Sequence, residues 1–194
     1  MGEAAMAEDD LPARRVDEVV TVLMLPILDE VEGKRRRRLR DATADLRECI
    51  EVHGERAMSE DEARLLELER QFFDPQGAVA RVAPAPVLLR VLPFYLQETR
   101  WQGADDVDRR VRMRLALRLA RATARLPELH GFDVATALAD VERAWKVANR
   151  RLRREQGQRA LERLPPDART RMEEFIAQVE ARRAAEARES GEPG

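Results

Sequence analysis

Apolar residues recur along this chain at every third or fourth position and nowhere alternate over a strand's length, so it can bury them only by packing helices together. Val16, Val20, Leu23, Ile27 and Val31 make one such stripe, with Val19, Met24 and Leu28 beside it. Leu, Ala and Val supply most of the apolar side chains and aromatics only 4% of the residues; mixed with Glu and Arg, this composition favours helix. A length of 194 residues fits one domain. The expected fold is therefore all-α: a single compact bundle of six or seven helices over residues 12–183, with a disordered acidic tail at residues 1–11 and a second disordered tail at residues 184–194.

Turn and cap residues divide the chain. Pro26 should kink or break the first helix, since it removes a backbone donor and crowds the preceding turn. A second helix is expected over about Lys34–Glu51, with Leu39, Leu46 and Ile50 inward. Ser59 with Glu62 three residues on is a capping box, opening a helix that carries Leu65, Leu68 and Phe72 on one face. Asp74-Pro75-Gln76-Gly77 reads as a turn and residues 78–86 as a loop. The stretch VLLRVLPFYLQETRW predicts a buried helix kinked at Pro93, with Phe94, Tyr95 and Trp101 anchoring the core. Residues 105–126 give the clearest long helix, opened by Asp105 and Asp106 as the helix dipole prefers. A turn at Gly131, a helix over 133–155 and a loop from Gly157 to Pro166 follow. A last helix is expected to turn Met172, Phe175, Ile176 and Val179 inward.

The single cysteine, Cys49, has no partner for an internal disulfide and sits beside Ile50 in a helical pattern, which suits a small buried hydrophobe in a reducing compartment. The longest apolar run, VVTVLMLPIL at residues 19–28, is well short of the roughly 20 residues that span a bilayer. The acidic beginning, with Glu8, Asp9 and Asp10, does not resemble a signal peptide. A cytoplasmic location with no membrane association is the expectation.

Charge is where the chain is unusual. Charged residues reach 37%, and all but Lys34 and Lys146 of the 35 basic residues are arginine. A skew of that kind accompanies GC-rich coding, so placement and not abundance must carry any argument. The formal net charge of −2 hides strong segregation: residues 1–32 come to −7, the KRRRRLR segment to +6, residues 41–73 to −6 and residues 101–159 to +6. On a helical wheel Arg110, Arg114, Arg118, Arg121 and Arg125 share an arc of about 80° and form a ridge free of acids. Val111, Leu115, Leu119 and Leu126 flank it on one side and Met113, Leu117, Ala120 and Ala124 on the other, so this helix is expected to be sandwiched within the bundle. The next helix sets a heptad-like seam of Val134, Leu138, Val141, Trp145, Ala148 and Leu152 opposite Arg143, Lys146, Arg150 and Arg153, with Arg154 adjacent. Together with Lys34, Arg35, Arg36, Arg37 and Arg38, these two ridges are the candidate anion-binding or partner-binding residues. They could instead face solvent, or pair with the acidic helices at residues 41–73.

Equipment for chemistry is sparse. Arg125 and His130 have the spacing found in helical ribonucleases of the HEPN type, but with arginine at about one residue in six such a match is expected by chance, and Pro127 interrupts it. Cys49 and His53 lie one helical turn apart but lack further ligands, and neither histidine has the Glu-x-x-His spacing of a di-iron bundle. Serines are limited to Ser59 and Ser190, and there is no glycine-rich phosphate loop. No catalytic residues, cofactor or metal are assigned. The sequence reads as a non-catalytic helical interaction protein, an adaptor, regulator or small subunit that binds a protein partner through charged helical faces. Nucleic-acid backbone binding through the arginine ridges is the alternative, and self-association is left open.

Overall fold

The order of elements follows from good helix formers broken by a few strong caps and turns. The computed structural model describes residues 14–97, 101, 103–127, 129 and 133–189, and is all-α. Its helices are α1 (Val16–Asp29), α2 (Gly33–His53), α3 (Glu60–Phe72), α4 (Ala78–Val82), α5 (Ala85–Tyr95), α6 (Asp106–Thr123), α7 (Val134–Glu162) and α8 (Pro166–Glu189), with a 3-10 turn at Glu55–Ala57. No strand occurs among the described residues, and no helix there is long and apolar enough to cross a membrane. The acidic segment 1–11 and the expected turn at Gly131 lie outside the described residues.

Local chemistry accounts for the boundaries. Ser59 accepts the Glu62 amide while the Glu62 carboxylate accepts the Ser59 amide at 2.7 Å, the reciprocal bond read from the sequence. Asp105 caps α6 by accepting the Asp108 amide at 2.7 Å, and Asp133 accepts the Thr136 amide at 2.9 Å at the start of α7. Gly77, at φ 78°, supplies the left-handed turn before α4. That short helix takes its cap from a distance, because the Glu51 carboxylate accepts the amides of Val79 and Ala80. This explains how residues 78–82, expected as loop, become helical.

The chain forms two compact units, Met1–Asn149 and Arg150–Gly194. In the first, α1, α2, α4, α5 and α6 enclose a core that includes Val16, Val20, Leu46, Ile50, Leu88, Leu92 and Leu119. Each fully buried aliphatic side chain of this size contributes about 1.5–3 kcal/mol. Tyr95 is wholly buried, donates its hydroxyl proton to the Ala42 carbonyl at 2.8 Å, and meets the edge of Trp101 at 6.2 Å. A backbone clip closes the unit: the Val16 amide donates to Ala83 and the Ala85 amide to Arg14, at 2.9 and 2.8 Å. In the second unit the end of α7 meets α8 through a turn at Leu164-Pro165.

Several expectations need correction. Phe94 is not in the core; it is part-exposed and stacks on His53 at 4.6 Å. The α1 stripe is buried at Val16, Val19, Val20 and Met24 but only half-buried at Leu23, Ile27 and Leu28, and Pro26 sits near the helix end without breaking it. Gly157 lies inside α7, where open space surrounds it, so the chain has no need to turn there. Met172, Phe175 and Ile176 are exposed, not inward, because the neighbouring stretch RRLRREQGQRALE offers them little apolar surface. Helix α8 runs on to Glu189, six residues past the end of the apolar pattern, in an alanine-rich stretch supported by the Arg182–Glu186 pair at 3.0 Å.

Candidate functional site

Two surfaces of the first unit stand out, one charged and one apolar. The charged one is the outer face of α6. Met113, Leu115, Ala116, Leu119, Ala120 and Thr123 are buried, and Arg110, Arg114, Arg118, Arg121 and Arg125 are all exposed on the opposite side. The helix is thus an ordinary amphipathic surface helix and not a sandwiched one: Val111 and Leu117 are half-exposed shoulders between the two faces. From Arg110 to Arg121 the row covers about 16 Å at helical rise. Arg125 follows on the turn after α6, which ends at Thr123.

Pairing separates the arginines sharply. Arg112, on the buried side, has a side chain only 12% exposed and grips Asp45 of α2, with Nε 2.7 Å from the carboxylate. Arg38 bridges Asp105 and Asp108 at 2.9 and 3.0 Å, and Arg47 meets Asp17 of α1 at 3.0 Å. The backbone bond from Asp108, assisted by the Arg38 charge, holds the Asp105 carboxyl below the usual carboxylate range against a smaller opposing effect of burial. On the row itself, Arg121 reaches Glu142 of α7 at 3.2 Å and Arg110 donates to the Asp106 carbonyl. Among the described residues Arg114, Arg118 and Arg125 have no acid partner. The acidic segment at residues 41–73 therefore pairs with other arginines and leaves the α6 row uncovered.

The remaining basic candidates fall elsewhere. Positions 108 and 112 lie on the side of α6 opposite the row, and α2 pairs there through Arg38 and Asp45. Lys34, Arg35 and Arg37 are exposed at that start, while Arg38 is committed to its two aspartates and Arg36 lies 4.0 Å from Asp29. On α7, Arg143 pairs with Asp140 at 2.8 Å, and Lys146 is exposed one turn beyond Glu142. Opposite them, Val134, Leu138, Trp145 and Ala148 are half-buried and Val141 fully buried. Arg150, Arg153 and Arg154 are exposed in the second unit.

The apolar surface was not singled out from the sequence. Helix α3 buries Leu66 and leaves Leu65, Leu68, Phe72 and Phe73 exposed at 49, 52, 69 and 67%. With Arg15, Glu69, Arg81 and Val82 they line a cleft of about 280 Å³. Its rim is held in place: Arg15 donates to the Val82 carbonyl at 2.7 Å, and Arg81 meets Glu69 at 2.6 Å and the Gln76 carbonyl at 2.8 Å. The available signal was the stripe Leu65, Leu68 and Phe72 together with a second phenylalanine directly before the Asp74-Pro75 turn. Periodicity identifies such a stripe without saying whether anything covers it.

Nothing among the described residues assembles three His, Cys, Asp or Glu side chains to hold a metal. Cys49 is buried, and His53 is engaged with Phe94. His130 lies outside the described residues. The chain matches no known family model, no curated protein and no solved structure.

Proposed function

We propose that this chain is a non-catalytic interaction protein, an adaptor or small subunit, that takes a helix of a partner protein on the α3 surface. The observation that carries this reading is the exposure of Leu65, Leu68, Phe72 and Phe73 as one contiguous patch around a cleft. Patches of large apolar side chains with a polar rim mark contact surfaces, and aromatic anchors contribute most to such contacts. At about 280 Å³ and open to solvent, the cleft falls just under the usual range for small-molecule and cofactor sites, and suits an inserted side chain better. Charge complementarity defines the occupant. Helix α3 carries five acids against Arg64 and Arg70; Asp61 and Glu69 are paired with Arg64 and Arg81, and Glu60 and Glu67 stand exposed, so the partner helix should present an apolar side chain flanked by lysine or arginine.

The test is affinity capture from the native lysate with two baits, wild type and the Leu68→Asp/Phe72→Asp double variant. Both side chains are at least half exposed, so the variant should keep its helicity. A protein recovered by the wild type and depleted at least roughly tenfold, or 1.4 kcal/mol, on the variant supports the reading. Equal recovery on both baits, or no partner on either, overturns it.

A further inference from the structure

We infer that the exposed arginine row of α6 binds the phosphate backbone of duplex nucleic acid. This surface is separate from the α3 cleft, and the inference goes beyond the protein-partner reading. Arg110, Arg114, Arg118 and Arg121 lie along one outer face, with Arg125 following on the turn; the acids beside them are Asp106, one turn before Arg110, and Glu142 of α7, which meets Arg121. Among the described residues Arg114, Arg118 and Arg125 have no acid partner, and Lys146 of α7 extends the cationic surface past Glu142. Successive arginines at spacings of three and four repel one another along a helix, so the row is unfavourable for the isolated fold and is relieved by a polyanion.

The chemistry of the row selects among polyanions. Along the row Val111 and Leu117 are only half-exposed shoulders, so an acidic protein would find no apolar centre of the kind that protein contacts need. Helix α6 has no aromatic residue on which unpaired bases could stack, which disfavours single strands. What remains favourable is a rigid, dense phosphate array. The arginine fork matches phosphate geometry, and about 16 Å of row would face about five phosphates of one strand at 3.4 Å each. Binding of this kind recognises backbone and shape and not sequence.

The test is fluorescence anisotropy of the full chain with a labelled 25-base-pair DNA duplex between 50 and 200 mM NaCl. Engagement of about four phosphates predicts a slope of log affinity on log salt near −3.6, or about a 150-fold loss over that range. Arg114→Gln/Arg118→Gln/Arg125→Gln should flatten the slope by about 2.7 with unchanged circular dichroism. The corresponding triple lysine variant should retain the wild-type slope. The Leu68→Asp/Phe72→Asp variant should bind duplex normally, which keeps this inference distinct from the cleft. Absence of duplex binding at 50 mM NaCl, an unchanged slope in the glutamine variant, or tighter binding of single-stranded RNA would overturn it. So would displacement of the duplex by an equal charge concentration of polyglutamate, which would assign the row to an acidic protein.

Discussion

Replacing Arg114 and Arg118 with glutamine should make the protein more stable. The two substitutions remove three like-charge neighbours on α6: Arg110 with Arg114, Arg114 with Arg118, and Arg118 with Arg121. Each such pair destabilises a helix by about 0.2–0.5 kcal/mol at low salt, so the gain is about 0.6–1.5 kcal/mol. No acid among the described residues pairs with either arginine, and both are exposed, so no ion pair is lost. Glutamine and arginine also have nearly equal helix propensity. For a chain of this size the gain corresponds to a rise in Tm of about 1–6 °C. The Debye length shrinks from about 30 Å at 0.01 M salt to about 3 Å at 1 M, so the rise should vanish in 1 M NaCl. Thermal melts of both proteins at 10 mM and 1 M NaCl are the assay. A fall in Tm of more than about 2 °C at low salt would refute the reasoning, since it would show that these arginines hold the fold together. A change of similar size at both salt concentrations would refute the electrostatic account of it.

Three further outcomes test other parts of the structure. A Cβ on Gly54 would lie 2.6 Å from both the Ile50 carbonyl oxygen and Val79 Cγ1, so Gly54→Ala should cost about 1–3 kcal/mol although φ is an ordinary −69°; an unchanged urea midpoint would mean that α2 and α4 do not approach so closely. Asp45→Asn leaves the largely buried Arg112 guanidinium without its counter-charge and should cost about 2 kcal/mol in chemical denaturation, whereas a loss under about 0.5 kcal/mol would class the pair with ordinary surface bridges. Asp105 has a depressed carboxyl pKa in the fold, so its stabilisation is present above the unfolded value of about 3.9 and is lost as pH falls through the lower folded value. The urea midpoints of wild type and Asp105→Ala should therefore differ at pH 6, begin to approach below about pH 4 and draw together as pH falls through the depressed folded value; a gap independent of pH would show that the cap acts without its charge.

Local signals were legible in the sequence, and signals that depend on what a face meets were not. Ser59 with Glu62, the Asp74–Gly77 turn and the acidic start of α6 each act within four residues, and each stands as read. The stripes on α3 and α8 have the same period as the buried face of α6, yet Leu65, Leu68, Phe72 and Phe175 are exposed. Hydrophobic period reports that a face could be buried; whether another apolar face opposes it is a tertiary fact. The same distinction applies to charge. The row on α6 was visible from spacing alone, but its freedom depended on where α2 sits, which Arg112 and Asp108 determine through Asp45 and Arg38.

That dependence explains why Arg114 and Arg118 meet no acid among the described residues of the first unit. Helix α2 offers α6 the carboxylate of Asp45, which meets Arg112 on the side where Leu115, Ala116 and Leu119 are buried. Turning α6 to offer Arg114 or Arg118 to that carboxylate would take its apolar face out of the core. Losing Leu119 alone to solvent costs about 1.5–3 kcal/mol, more than the 0–1 kcal/mol an exposed ion pair returns. Helix α7 contributes Glu142, which is occupied by Arg121. Core burial thus fixes the rotation of α6, and that rotation leaves Arg114 and Arg118 facing solvent with no acid partner among the described residues. A net charge of −2 is therefore a poor guide to this molecule's behaviour, because exposed arginines gather locally on one face of α6. Any partner that recognises the row will respond to the local field and not to the net charge, and its affinity should fall steeply with salt.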